Sequence, residues 1–178
     1  MREVDFATIK LMVLDVDGVL TDGRITLTES GEEIKTFHAR DGAGMKYWQR
    51  VGGSLAIITG RGSPAVIRRA DEIGVSVVRL HAKVKLPVYH EVLAELGIPP
   101  EQTVVLGDDL TDLPILRCCG FSAAPQDAAE EVRQAVDYVC RTPGGRGCVR
   151  EVVELICKRA GTWQQVLARY LPPEGQEP

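Results

Sequence analysis

The fold of this 178-residue chain is indicated first by the stretch Asp15-Val16-Asp17-Gly18. It follows an apolar run from Ile9 to Leu14 whose composition is typical of a buried strand. Residues two apart in extended backbone point to the same side, so the carboxylates of Asp15 and Asp17 leave the strand together. In open α/β sheets, ligands bind in the crevice beyond the carboxyl ends of the strands. Two like charges this close require a cation or a proton, which indicates either a divalent metal or an acid/base pair.

Length and composition are those of an ordinary globular protein. The apolar share is 44% and the charged share 26%, and the length fits one domain with a substantial core. A net charge of −4 and a pI near 5.4 argue against nucleic acid or an anionic membrane as a partner. The chain shows no apolar run of membrane-spanning length, and residues 1–5 do not resemble a signal peptide. We therefore expect a cytoplasmic protein.

Short apolar strands alternate with helical segments, which predicts a central parallel sheet of the α/β class. The predicted core strands cover residues 9–14, 55–58, 75–78 and 103–106, with weaker strands near 121 and over 136–139. The predicted helices begin just after Asp41, at Pro64, near Val84 and near Val149. Residues 24–37 alternate around Ser30-Gly31 and predict a β-hairpin. We expect one domain over residues 1–171 and a flexible polar tail over 172–178.

The residues with chemical potential follow the ends of these predicted strands or open a predicted helix. They are Asp15, Asp17, Thr59, Gly60, Lys85, Asp108, Asp109 and Asp112. Because the carboxyl ends of parallel strands share one edge, four separate segments can converge on one pocket. Carboxylates suit a hard cation such as Mg²⁺, whereas a hydroxyl, backbone N–H groups and a lysine suit an oxyanion. This set of groups is typical of phosphoryl transfer.

Four segments of the chain resemble the signature motifs of the haloacid dehalogenase superfamily of phosphatases. They are Asp15–Leu20, Ile58–Arg61, Lys85 and Gly107–Asp112. The resemblance implies a Rossmann-like three-layer α/β/α fold in which Asp15 is the nucleophile and forms an aspartyl-phosphate. It implies that Asp17 is the general acid and then the base, and that Thr59 and Lys85 hold the phosphoryl oxygens. It further implies Mg²⁺ bound by Asp15, by Asp108 and by the main-chain carbonyl of Asp17.

A more specific resemblance covers almost the whole chain. The hairpin, residues 37–42 and residues 144–151 resemble the family of 3-deoxy-D-manno-octulosonate 8-phosphate (Kdo 8-phosphate) phosphatases of lipopolysaccharide biosynthesis. Cys148 stands where that family has alanine, which is a mild departure. The resemblance implies a phosphorylated sugar acid as substrate. It also implies a homotetramer in which each hairpin packs against neighbours and adjoining subunits complete the pocket.

The spacing of the motifs independently predicts a capless form of this fold with an inserted hairpin. The hairpin and one helix already fill the interval between Asp17 and Thr59. Two helices and a strand fill the interval between Arg61 and Asp108. Neither interval has room for a separate cap domain. A neighbouring subunit is then the simplest means of excluding water from the pocket.

Three arginines and a glycine are candidate substrate contacts: Arg40, Arg61, Arg146 and Gly60. A guanidinium suits a carboxylate, although each arginine also fits a solvated surface charge. Glycines on both sides of Arg146 favour a flexible anion-binding loop over a plain helix face.

Several roles remain open at the level of the sequence. Lys83 is an alternative to Lys85, which is favoured because it precedes the helical Leu86-Pro87. Asp109 orients its neighbours or binds metal, and the orienting role is favoured. Asp112 either caps a helix or supports Lys85, and both are favoured over metal ligation.

Two other functions also fit the sequence. One is a phosphatase of nine-carbon sugar-acid phosphates, because sugar length cannot be read from these residues. The other is a non-catalytic oligomerisation module. The complete set of Asp15, Asp17, Thr59, Lys85 and Asp108 argues against the module, which has no need of these side chains.

Overall fold

The computed structural model describes residues 4–171, so the tail predicted over 172–178 lies outside the described residues. The strands are β1 (Leu11–Leu14), β2 (Thr26–Leu27), β3 (Glu33–Ile34), β4 (Ser54–Ile58), β5 (Val77–Arg79), β6 (Thr103–Leu106), β7 (Phe121–Ala124) and β8 (Tyr138–Val139). The helices are α1 (Ala39–Arg50), α2 (Pro64–Ile73), α3 (Lys85–Leu96), α4 (Leu113–Leu116), α5 (Glu130–Ala135), α6 (Cys148–Arg159) and α7 (Trp163–Leu167).

Six strands form one parallel sheet in the order β5-β4-β1-β6-β7-β8. At its centre, Leu14 pairs with Ile57 of β4 and with Leu106 of β6, so these three strands end level with one another. The Asp15 N–H continues the ladder by donating to the Leu106 carbonyl at 3.1 Å. The predicted convergence of the strand ends at one edge of the sheet is confirmed.

Alternation along the central strands builds a core on each face of the sheet. Met12 and Leu14 face the layer of α1, α2 and α6, whereas Leu11 and Val13 face the layer of α3, α4 and α5. Every residue of β1 is fully buried, as expected for a strand covered on both faces. The predicted three-layer α/β/α class is therefore confirmed.

Two predicted boundaries differ from the structure for identifiable reasons. The helix predicted to begin after Asp41 begins at Ala39, because Asp41 caps a different helix. Its carboxylate accepts the N–H groups of Gly147 and Arg150, at the start of α6. The strand predicted over 75–78 covers Val77–Arg79, because the Val75 N–H instead satisfies the Ala70 carbonyl at the end of α2.

The hairpin of β2 and β3 stands apart from the main sheet. Its two strands pair over two residues each, and Leu27 is 62% exposed. Among the described residues, this hairpin and α1 fill the interval between Asp17 and β4, as the capless form requires. No helix within residues 4–171 combines the length and the apolar character that crossing a membrane requires.

Candidate active site

A cleft of about 310 Å³ opens at the carboxyl edge of β1, β4 and β6. It is lined by Asp15, Asp17, Gly23, Thr59, Gly60, Arg61, Lys85, Asp108, Asp109 and Thr111. The structure therefore brings together the candidate residues from all four segments that the sequence singled out. Three separate strand ends and the first turn of α3 contribute to it.

Asp15 is the most buried carboxylate of the pair that follows β1. Its Oδ1 lies 2.8 Å from Lys85 Nζ. Burial raises the pKa of Asp15 to about 6, even though the Lys85 ammonium works in the opposite direction. A buried carboxylate of this kind has few water molecules to displace when a ligand enters the cleft.

Lys85 is the first residue of α3 and lies in the cleft, whereas Lys83 is exposed to solvent. Its Nζ donates to Asp112 Oδ1 at 2.5 Å while it contacts Asp15. Burial alone would lower the pKa of Lys85, but the two carboxylates outweigh burial and raise it. The ammonium therefore stays charged, as a contact for phosphoryl oxygens requires.

Asp112 uses both of its oxygens within the site. Oδ1 accepts from Lys85, and Oδ2 accepts the N–H groups of Asp108 at 3.1 Å and of Asp109 at 3.2 Å. Asp109 completes this turn, because its Oδ1 accepts the Leu110 N–H at 2.8 Å. Asp112 thus both caps the turn after β6 and supports Lys85, so the two roles left open by the sequence coexist.

Asp108 has the features expected of a carboxylate that binds a cation. Burial, reinforced by the carboxylates of Asp15 and Asp112, raises the pKa of Asp108 to about 8. Its Oδ1 is buried and accepts no hydrogen bond from the described residues. Oxygens of Asp15, Asp108 and Asp112 lie within 4.8 Å of one another. The carboxylates of Asp15 and Asp108 are suitable ligands for a hard divalent cation, whose charge would stabilise all three buried anions.

Glycine is required at position 18 for this cluster to form. Gly18 has φ of +88°, and a Cβ at this position would lie 2.0 Å from Asp108 Oδ2. The backbone of the loop after β1 therefore lies directly against the Asp108 side chain, which follows β6. A side chain here would separate Asp108 from Asp15.

The loop after β4 supplies neutral groups. Thr59 is buried, and its hydroxyl oxygen lies 3.4 Å from the Arg61 N–H, which donates to it. A Cβ at Gly60 would meet only the Ala82 carbonyl, at 3.9 Å, so the backbone here is open to a ligand. The hydroxyl proton of Thr59 and the nearby N–H groups suit phosphoryl oxygens.

Asp17 has partners that the sequence motifs do not reveal. Lys35 Nζ donates to Asp17 Oδ1 and, at 3.2 Å, to Glu33 Oε1. Arg61 Nη2 donates to the same Glu33 oxygen at 2.9 Å, and Arg61 Nε lies 3.6 Å from Asp17 Oδ2. Burial would raise the pKa of Glu33, but the hydrogen bonds from Arg61 and Lys35 lower it. The hairpin is therefore tied to the cleft by charge.

Comparison with known proteins agrees with this geometry. The model of the haloacid dehalogenase-like hydrolase family matches residues 39–120. The Kdo 8-phosphate phosphatase KdsC of Haemophilus influenzae is 40% identical over 153 residues, which cover 86% of this chain and 85% of that protein. The enzyme of the same name from Yersinia pestis is 43% identical over 150 residues, covering 84% and 80%.

The chain belongs to the Kdo 8-phosphate phosphatase family of haloacid dehalogenase-like hydrolases. A solved family member from Moraxella catarrhalis, in complex with a magnesium ion, a phosphate ion and Kdo, superimposes with a TM-score of 0.91 at 38% identity. The match covers 93% of this chain and 95% of that one. A probable YrbI family phosphatase from Pseudomonas syringae gives a TM-score of 0.92 at 43% identity, covering 95% and 96%.

Two of the arginines that the family resemblance pointed to lie outside the catalytic cleft of their own chain. Arg40 and Arg146 line a second cleft of about 620 Å³, together with Arg141, Arg150 and Lys158. Arg61, in contrast, lines the catalytic cleft. Arg40 and Arg146 are thus separated from Asp15 within one subunit.

The two glycines that precede Arg146, Gly144 and Gly145, have a packing role that the sequence did not indicate. A Cβ at Gly144 would lie 1.8 Å from the Gly18 carbonyl oxygen, and the Gly145 N–H donates to the Val19 carbonyl at 2.9 Å. Cys148 Sγ also donates to that carbonyl, at 3.3 Å. This segment of the family pattern therefore packs against the loop that carries the paired aspartates.

Proposed function

We propose that this protein is a Mg²⁺-dependent phosphatase that hydrolyses Kdo 8-phosphate to Kdo and inorganic phosphate. The main support for the proposal is the arrangement of charges in one cleft. Lys85 contacts both Asp15 and Asp112 there, and oxygens of Asp15, Asp108 and Asp112 lie within 4.8 Å of one another. The family membership supports the substrate, since its named members act on Kdo 8-phosphate. The Moraxella structure, with magnesium, phosphate and Kdo, supports the cofactor and the product.

The first step assigns covalent catalysis to the paired aspartates. A carboxylate oxygen of Asp15 attacks phosphorus, and the bond between phosphorus and the 8-oxygen of the sugar breaks. Asp17, in its protonated form, gives its proton to that leaving oxygen. The products of this step are free Kdo, an aspartyl-phosphate on Asp15 and an ionised Asp17.

The second step restores the protein. Asp17 accepts a proton from water while the water oxygen attacks phosphorus. The bond between phosphorus and Asp15 breaks, which releases inorganic phosphate and regenerates both side chains. The Thr59 hydroxyl, the Gly60 N–H and the Lys85 ammonium hold the phosphoryl oxygens through both steps.

The metal is assigned to the oxygens that lack a partner. Asp15 and Asp108 would hold Mg²⁺ with their carboxylates and Asp17 with its main-chain carbonyl, and the ion would neutralise charge on the transferring phosphoryl group. The raised pKa of Asp108 and its unpaired buried oxygen support this assignment. Asp112 is excluded from the ligand set because Lys85 and two backbone N–H groups occupy its oxygens.

The assembly that we propose is a homotetramer of single-domain subunits, each comprising residues 1–171, in the cytoplasm. Its basis is the hairpin, on which Ile25, Leu27 and Ile34 are each more than half exposed. Neither Arg40 nor Arg146 lines the catalytic cleft of its own subunit. A neighbouring subunit would therefore bring one of them to the sugar-acid carboxylate.

A panel of phosphate esters tests the proposed substrate. We expect Mg²⁺-dependent phosphate release to be fastest with Kdo 8-phosphate, slower with nine-carbon acid phosphates, and slowest with hexose phosphates. Arg146→Ala should weaken use of the acidic sugar phosphates far more than use of a small generic ester, since a bidentate contact contributes roughly 1.5–3 kcal/mol. Preference for a nine-carbon substrate would contradict the assignment, and absence of hydrolysis would favour the non-catalytic module.

A further inference from the structure

The hairpin brings a lysine into contact with Asp17, a lining residue of the catalytic cleft. Lys35 follows β3 on a ribbon whose apolar side chains are exposed, yet its own side chain is only 1% exposed. An ammonium withdrawn from water is stable only where acceptors replace its hydration shell. For Lys35 these acceptors are the carboxylates of Asp17 and Glu33.

The charges around Lys35 form a closed ring. Glu33 accepts from both Lys35 and Arg61, and Arg61 in turn faces the second oxygen of Asp17. The ring joins three segments: the hairpin, the loop after β1 and the loop after β4. Because Arg61 is 47% exposed, its pairings are screened by water, and Lys35 makes the tighter contact with Asp17.

The two aspartates are therefore held by different parts of the fold. Asp15 contacts Lys85, which the core anchors through α3 and Asp112. Asp17 contacts Lys35, which is carried by a two-stranded ribbon outside the main sheet. An isolated ribbon of this kind is only marginally stable. The orientation of Asp17 consequently depends on whether the hairpin is in place.

We propose that Lys35 is the positioning residue for Asp17. Proton transfer by Asp17 then requires the hairpin to be packed against the cleft, because the hairpin carries Lys35. The ammonium donates to Oδ1 and so keeps the Asp17 side chain in the cleft. Oδ2, which has no hydrogen-bond partner among the described residues, is the oxygen that carries the proton. The proposal rests on the proposed function, because it takes Asp17 as the group that moves the proton. Lys35 does not itself exchange a proton or touch the phosphoryl group in this account.

The test compares leaving groups in Lys35→Met, which keeps the length of the side chain and removes its charge. An alkyl oxygen must be protonated as it leaves, whereas p-nitrophenolate leaves without a proton. If general-acid catalysis contributes about 10²–10⁴-fold, misplacing Asp17 should lower kcat/KM for the sugar phosphate about 10–100-fold. The same variant should lower kcat/KM for p-nitrophenyl phosphate by less than about threefold.

A double-mutant cycle separates positioning from a merely structural role. Asp17→Asn removes the proton-transferring group, so adding Lys35→Met to it should change kcat/KM for the sugar phosphate by less than about twofold. Glu32→Gln on the hairpin and Lys46→Met on α1 are matched controls, since both side chains are exposed. Each control should retain wild-type kinetics on both substrates.

Two results would overturn the proposal: equal losses on both substrates, or full additivity of Lys35→Met with Asp17→Asn. Should Lys35→Met fail to fold, Lys35→Gln keeps a hydrogen-bond donor and should show the same leaving-group dependence with smaller losses. If Asp17→Asn shows the dependence and both Lys35 variants do not, the role of Lys35 is wrong and the proposed function stands. If Asp17→Asn also lacks it, the proposed proton transfer is wrong.

Discussion

Lys85 Nζ donates a hydrogen bond to Asp112 Oδ1 at 2.5 Å and lies 2.8 Å from Asp15 Oδ1. Asp112 is 1% exposed, so this ion pair is formed away from water. A buried pair stabilises little by itself, but removing one partner leaves an uncompensated charge. Asp112 therefore determines where the Lys85 ammonium lies relative to Asp15.

Asp112→Asn should lower both activity and stability. The amide cannot accept from Lys85 and from two backbone N–H groups at once, so the turn after β6 loosens. We expect kcat/KM to fall about 10–100-fold and the free energy of unfolding to fall by roughly 1–3 kcal/mol. Urea unfolding and steady-state kinetics measure the two effects. Asp71→Asn, at an exposed position on α2, should change neither, and a fully active Asp112→Asn would contradict this role.

Asp108→Ala should raise the Mg²⁺ concentration needed for half-maximal activity by at least about tenfold, because it removes a charged ligand of a hard cation. Chelation should silence the wild type, and Ca²⁺ should substitute poorly because its coordination is larger and looser. Asp109→Asn is the matched control: Asp109 is exposed and the amide oxygen keeps the cap, so the Mg²⁺ requirement should change little. Full activity in excess chelator would rule out the metal assignment.

Glu151 predicts a pH dependence of stability. Burial would raise its pKa, but hydrogen bonds from the Arg141 N–H, Thr142 and Tyr138 lower it below the ordinary value of 4.5. The stabilisation is therefore present above that value and is lost as the pH falls through the lower pKa of the folded state.

Glu151→Gln should accordingly lower the free energy of unfolding by about 1–2 kcal/mol at pH 7, and by progressively less below pH 4.5. Urea unfolding between pH 7 and pH 3.5 measures the difference at each pH. Glu91→Gln, at an exposed position of α3, should show no such trend. A difference that stays constant with pH would contradict the assignment to the Glu151 carboxylate.

The exposed hairpin predicts the oligomeric state. Replacing Leu27 and Ile34 together by serine should convert the proposed tetramer to smaller species without unfolding the subunit, because both side chains are more than half exposed in the isolated chain. Light scattering measures the mass, and circular dichroism checks the fold. Val139→Ser, an exposed apolar position outside the hairpin, should leave the mass unchanged. A monomeric wild type would contradict the proposed assembly.

The sheet and the edge that forms the cleft could be predicted because residues close together in the sequence determine them. An apolar run before Asp15 makes a buried central strand, and the period of two then sends both aspartates into the same cleft. The helix of residues 64–73 could also be predicted, because Ser63 caps it, Pro64 occupies its first position and Gly74 ends it. In each case the deciding interactions lie within a few residues.

What the sequence did not reveal depends on contacts between distant segments. Lys35 lies eighteen positions from Asp17, and no periodicity marks a polar residue on a ribbon as buried. Asp41, expected just before its helix, lies in the first turn of α1 and accepts the Gly147 N–H at the start of α6, 106 positions away. Likewise, the glycines of residues 144–147 suggested a loop for anions, although close backbone packing against Gly18 and Thr21 accounts for Gly144 and Gly145.

The central claim is that Asp15 carries the phosphoryl group, and trapping that intermediate tests it most directly. Asp17→Asn, which slows hydrolysis of the aspartyl-phosphate, is mixed with Mg²⁺ and p-nitrophenyl phosphate, whose leaving group needs no proton from Asp17. The mixture is quenched in acid, digested and analysed by mass spectrometry. The account predicts a hydroxylamine-sensitive phosphoryl group on the peptide that contains Asp15, and none in Asp15→Asn, whose turnover should be nearly abolished. A phosphoryl group on another residue, or near-normal turnover by Asp15→Asn, would contradict it.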